Sequence, residues 1–102
     1  MARIYDSITD TFGNTPLVRI PRMNKGLGGQ ILVKLESFNP AGSVKDRIGV
    51  AMIEAAERDG TLGPGGTIVE ATSGNTGIGL TIVGRQRGYQ VKIVVSDRSA
   101  QE

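Results

Sequence analysis

Apolar positions along the chain recur with two spacings. From Val44 to Asp59 they return every three or four residues, at Val44, Ile48, Ala51, Met52, Ala55 and Ala56, which predicts a helix with those residues on its core face. Ser43 stands where an N-cap belongs, and Gly60 where a left-handed C-terminal cap belongs. A second helix is predicted over Thr76–Arg87, closed by Gly88. Around these helices lie three apolar runs of strand length, Gln30–Glu36, Thr67–Ala71 and Val91–Val95. Leu32 sits between Ile31 and Val33, so the middle of the first run reads as buried on both faces. Strand, helix, strand, helix, strand at these lengths predicts a βαβαβ unit with one parallel sheet, an α/β fold.

Other segments are less periodic. Met1–Gly13 predicts a short helix, Asn14-Thr15-Pro16 a turn, and Pro21–Gly29 a loop broken by Gly26, Gly28 and Gly29. Ser99-Ala100-Gln101-Glu102 has the spacing of a capping box, the opening of a helix. A helix start at the last residues leads to the expectation that the chain is a truncated product.

The 102 residues suffice for one small domain over 1–102. A net charge of +2 with scattered basic residues speaks against nucleic-acid binding. No apolar run reaches the roughly 18 residues of a membrane span, and Met1–Asp10 has no apolar signal-peptide segment. With no cysteine, a cytoplasmic location is expected. The chain also has no histidine, so Ser-His and Cys-His catalysis and the common zinc sites cannot be built from it, and no metal site is expected. Lysine chemistry, carboxylate chemistry, and binding by backbone and hydroxyl groups remain.

Two segments carry candidate chemistry. Lys45 falls in the first turn of its helix, where the dipole and a second cation such as Arg47 favour a neutral, nucleophilic amine. Asp46 opposes this by pairing with the charge, and an exposed structural lysine is the alternative reading. In Thr72-Ser73-Gly74-Asn75-Thr76-Gly77 a strand gives way to a helix whose free N–H groups attract an anion. The glycines allow close approach, and the hydroxyls and the amide add donors. A capped turn without ligand is the alternative there. If the strands before the two loops are neighbours in one sheet, an amine and an anion cradle share a cleft. Glu36 reads as a strand-end residue, Glu54, Glu57 and Arg58 as a solvated helix face, Met52 as core, and Arg85 and Arg87 as complements to a helix C-terminus.

Three motifs in order, Gly13-Asn14-Thr15-Pro16-Leu17-Val18, Asn39–Arg47 and Thr72–Gly77, resemble the cysteine synthase family. These are the O-acetylserine sulfhydrylases among the fold type II (β-family) enzymes that use pyridoxal 5'-phosphate (PLP). The resemblance covers the chain and implies the N-terminal part of such an enzyme. It implies that Lys45 holds PLP as a Schiff base and removes the α-proton of O-acetylserine, after which acetate leaves and sulfide adds to give cysteine. It implies that Asn75 bonds the cofactor's 3′ oxygen, and that Thr72, Ser73, Gly74, Asn75 and Thr76 bind the substrate carboxylate. A small-molecule amino-acid substrate, a homodimer and a serine acetyltransferase partner are further implications. The family's glycine-threonine phosphate cup and its pyridine-nitrogen contact have no counterpart in 1–102, so the isolated chain is expected to be inactive. Ser96-Asp97-Arg98-Ser99 also departs from the family's methionine-proline start after this strand. A cystathionine β-synthase-like enzyme with homocysteine as acceptor is the nearest alternative. A noncatalytic folded fragment or partner-binding module is the alternative from another class.

Overall fold

The computed structural model describes residues 2–98. The chain runs through β1 (Leu17–Arg19), β2 (Leu32–Lys34), α1 (Lys45–Asp59), β3 (Thr67–Ala71), α2 (Asn75–Gln86) and β4 (Gln90–Val94). Short 3-10 turns at Ile8–Thr11 and Glu36–Phe38 complete the order. The capping-box pattern at 99–102 lies outside the described residues.

The α/β class holds, and β3–α2–β4 forms the expected parallel unit. Thr67 pairs with Gln90 and Ala71 with Val94 in one two-stranded parallel sheet. The first strand of the expected βαβαβ run does not join it. β2 instead pairs antiparallel with β1, Val18 opposite Val33, and this is a separate sheet. Bonds from Leu35 N–H to the Pro16 carbonyl and from Ile20 N–H to the Ile31 carbonyl extend that ladder. The physical reason lies between β2 and α1. The 3-10 turn at Glu36–Phe38 and a tight turn at Asn39–Gly42, closed by Gly42 N–H to the Asn39 carbonyl at 2.7 Å, redirect the chain before the helix starts. Leu32 is therefore 47% exposed and not buried on both faces.

Among the described residues the buried apolar core comprises Ile53, Leu80, Val83 and Tyr89, with Phe12, Val50, Leu62 and Ile68 packed against it. It sits where α1, α2 and the parallel sheet meet. Glycines set these distances. A Cβ on Gly49 would lie 2.8 Å from the Gly79 carbonyl carbon, and one on Gly79 would lie 3.0 Å from the Lys45 oxygen, so the two helix backbones cross in contact. A Cβ on Gly84 would lie 2.7 Å from Val91 Cγ2, which brings α2 down onto the sheet. Gly88, at φ +85°, ends α2: Gly88 N–H bonds the Arg85 carbonyl and Tyr89 N–H the Gly84 carbonyl, a Schellman closure. Gly60, at φ +83°, ends α1 as its sequence position predicts.

The α1 helix turns a different side inward from the one expected. Its buried residues are Asp46, Gly49 and Ile53, while Val44, Ile48, Ala51, Met52 and Ala55 are exposed. Met52 is 42% exposed and is not core. Gly49, needed for the crossing with α2, goes in on the same side as Ile53 while Ile48 and Met52 stay exposed, so backbone proximity decides which side goes in. The outer residues of the parallel sheet, including Val69 and Val94, are also open. The radius of gyration is 17.3 Å, against about 13 Å for a compact domain of this length.

Candidate active site

Lys45 is the first residue of α1 and is exposed. Its N–H is accepted by the Ser43 hydroxyl at 3.1 Å, so Ser43 caps the helix from just before its first turn. The next two side chains anchor it. Asp46 is fully buried, and its Oδ2 accepts the Ala41 N–H at 2.7 Å. It therefore faces the preceding loop and does not pair with Lys45. Arg47 closes on Glu36 with Nε at 2.8 Å and Nη2 at 2.9 Å. Its charge is matched there and is not a free cation beside Lys45.

Glu36, read from sequence as a strand end, is the centre of a polar cluster. The Thr15 hydroxyl donates to its Oε1 at 2.5 Å, and buried Asn39 donates to its carbonyl at 2.8 Å and its Oε2 at 2.9 Å. Asn39 Oδ1 accepts the Gly13 N–H at 2.9 Å, and Lys34 Nζ donates to the Thr15 carbonyl at 2.7 Å. The Arg47 guanidinium above all, then the Thr15 hydroxyl, lowers the Glu36 pKa from 4.5 to about 2; Glu36 in turn raises that of Arg47. Sequence reading missed this cluster as a unit. Its signals were the Gly13–Val18 motif, whose Thr15 is buried here, and the Asn39–Arg47 motif, which supplies Asn39 and Arg47.

At the other end of the helix pair, Arg87 bonds both Glu54 and Glu57, and the Tyr89 hydroxyl donates to Glu57 at 2.9 Å. Glu54 and Glu57 thus tie α1 to the end of α2 and are not a merely solvated face.

The Thr72–Gly77 loop follows β3 and opens α2. Thr72 N–H completes the parallel ladder on the Val94 carbonyl at 3.1 Å. Gly77 packs onto the sheet, where a Cβ would lie 2.6 Å from Thr72 Cγ2. Residue 74 precedes the helix without any side-chain cap. Among the described residues the N–H groups of Ser73, Asn75, Thr76 and Gly77 make no hydrogen bond. The Thr72 hydroxyl accepts the Gly74 N–H at 3.4 Å, but no Ser, Thr or Asn side chain caps the helix itself, so the turn satisfies itself only in part. The helix start leaves these donors and its positive dipole end open.

The two segments are brought near one another by the helix crossing, not through neighbouring strands of one sheet. The Lys45 carbonyl lies against Gly79, one turn into α2, so the helix crossing brings both helix starts to the same end of the pair. A shallow depression of about 100 Å³ lined by Arg19, Ile20, Pro21, Asn24, Gln30 and Ile31 is elsewhere, beside the β1–β2 hairpin.

Residues 8–102 match the family described as pyridoxal-phosphate dependent enzyme. The chain belongs to that family. It is 47% identical over 97 residues to cysteine synthase B of Salmonella typhimurium, covering 95% of this chain and 32% of that protein. It is 52% identical over 102 residues to cystathionine beta-synthase of Rattus norvegicus, covering 98% of this chain and 18% of that protein. A hydrogen sulfide-producing enzyme of Fusobacterium nucleatum superposes with a TM-score of 0.88 at 45% identity, over 98% of this chain and 33% of the other. The chain therefore spans a third or less of the length of these relatives. A lysine at one helix start and an uncapped row of N–H groups at the other fit the amine and anion needs of the family's cofactor and an amino-acid substrate.

Proposed function

We propose that this chain is the lysine-bearing part of a PLP-dependent enzyme that replaces the acetoxy group of O-acetylserine with sulfide, giving cysteine and acetate. One observation carries the reading: Lys45 and the uncapped start of α2 lie at the same end of the Gly49–Gly79 crossing. Lys45 would hold the cofactor through its amine, and its Nζ would accept the α-proton of the substrate. Thr72, Ser73, Gly74, Asn75 and Thr76 bind the substrate carboxylate through N–H and side-chain donors, and Asn75 bonds the cofactor's 3′ oxygen. PLP, when bound, supplies the electron sink for the carbon that loses its proton. The substrate is a small amino acid, and a homodimer, a serine acetyltransferase partner and a cytoplasmic location go with the reading.

The 52% identity to a cystathionine beta-synthase favours a second acceptor, homocysteine, as the competing reading. The test has two steps. PLP added to the chain is expected to give visible absorbance that borohydride fixes as a mass increment on Lys45, and Lys45→Ala is expected to abolish both. The enzyme of which this chain is the lysine-bearing part is then supplied with O-acetylserine and either sulfide or homocysteine, and the product, cysteine or cystathionine, identifies the acceptor. A chain that stays colourless with PLP would favour a noncatalytic fragment or partner-binding module.

A further inference from the structure

The residue after Lys45 presents a physical puzzle. Asp46 is fully buried in the first turn of α1. One carboxylate oxygen accepts the Ala41 N–H, and the other, Oδ1, is buried with no partner among the described residues. A buried carboxylate with an unpaired oxygen carries a desolvation cost that a well-packed apolar side chain would not. Stability is therefore a poor explanation for an acid at this position. What the carboxylate does achieve is local. It ties the Asn39–Gly42 turn to the helix start, while Asp46 N–H bonds the Ser43 carbonyl at 3.2 Å. The other end of the same turn is held by Asn39 on Glu36. Behind the helix start, Gly79 stands so close that its missing Cβ would lie 3.2 Å from Asp46 Cα. The peptide carrying Lys45 is thus held between a turn in front and a helix behind, and Asp46 supplies the bond in front.

We infer that Asp46 is a positioning residue for Lys45: its bond to Ala41 fixes the direction in which the first turn of α1 presents the amine. This rests on the reading of Lys45 as the amine that holds PLP. The role belongs to the accepting oxygen and not to the negative charge. Asparagine keeps an oxygen for Ala41 N–H and removes the charge, whereas alanine removes both.

The test compares the wild-type chain with Asp46→Ala and Asp46→Asn. It reads amide hydrogen exchange residue by residue and PLP affinity from visible absorbance. In Asp46→Ala the Ala41 and Asp46 amides are expected to exchange about tenfold faster, and PLP affinity to fall about tenfold, with Leu80 and Val83 amides unchanged. Asp46→Asn is expected to restore both to within about threefold. A folded Asp46→Ala with unchanged Ala41 exchange, or with freed Ala41 and unchanged PLP affinity, overturns the inference. If Asp46→Ala does not fold, Asp46→Asn decides: protection retained with PLP affinity retained supports the role, and protection retained with affinity lost overturns it. A colourless wild-type chain would sink the functional reading instead, and the exchange comparison would still decide whether Asp46 holds the helix start.

Discussion

Arg47 grips both carboxylate oxygens of Glu36, and so the second residue after Lys45 is tied to the turn that follows β2. Thr15 and Asn39 bond the same carboxylate. Three sequence-distant segments, at residues 13–15, 36–39 and 45–47, are thereby closed around one acid. The helix that carries the lysine cannot shift without breaking that cluster.

A pH dependence follows. The folded-state pKa of Glu36 is lowered from 4.5 to about 2, so its contribution to stability is fully present above the unfolded value and is lost as pH falls from about 4.5 towards 2. Thermal unfolding followed by circular dichroism across this range should show the wild type losing stability steeply. Glu36→Gln should be less stable at neutral pH and flatter below pH 4.5. Equal slopes for the two proteins would remove Glu36 from the account.

The helix crossing gives a steric prediction. Gly49→Ala places a methyl group 2.8–2.9 Å from backbone atoms of Gly79, which cannot yield as a flexible side chain would. Overpacking of this kind costs about 1–3 kcal/mol, and the better helix propensity of alanine offsets about 1 kcal/mol. A net loss of up to about 2 kcal/mol is expected in denaturant titrations, together with weaker PLP binding. A more stable Gly49→Ala would contradict the contact.

The uncapped start of α2 predicts an anion effect. Thr76→Val removes one hydroxyl donor while leaving Lys45 untouched. O-acetylserine binding to the PLP-loaded chain, followed by spectral titration, should weaken about three- to tenfold, the loss of one hydrogen bond. The affinity for PLP should change less than that for O-acetylserine. The reverse ordering would place Thr76 on the cofactor side.

The open apolar faces predict self-association. Ile48 and Met52 on α1 and Val69 and Val94 on the parallel sheet are exposed. The two-stranded sheets also leave unpaired edges. Light scattering of the 102-residue chain should report oligomers, and a double Ile48→Lys, Met52→Lys variant should lower their mass. A wild-type chain that is monomeric at high concentration would refute this.

Particular residues mark how far the sequence could be read. Gly60 and Gly88 announced both helix ends, because a left-handed closing residue is a local requirement that glycine meets. Thr67–Ala71 was found at its observed bounds, since a short apolar run between turns is strand-like from local pattern alone. The inward side of α1 was not legible. Ile48 and Met52 point out while Ile53 goes in, and the inward side is chosen by Gly49, whose value shows only when Gly79 is opposite. Nor could the pairing of β2 be read, since a strand followed by a helix looks the same whether or not the chain returns to its sheet. Glu36 escaped for a similar reason: its partners Thr15, Asn39 and Arg47 come from both sides of it along the chain.

The sequence by itself determined where α1, α2, β3 and β4 form, which residue types could do chemistry, and the family resemblance of three ordered motifs. Those properties depend on local backbone preference and on residue identity. Only the tertiary structure decided that Lys45 and the start of α2 lie at the same end of a glycine crossing, that Asp46 faces inward, and that Arg47 belongs to Glu36. Each of these depends on which distant groups exclude one another's volume or satisfy one another's hydrogen bonds, and neither is a function of spacing along the chain.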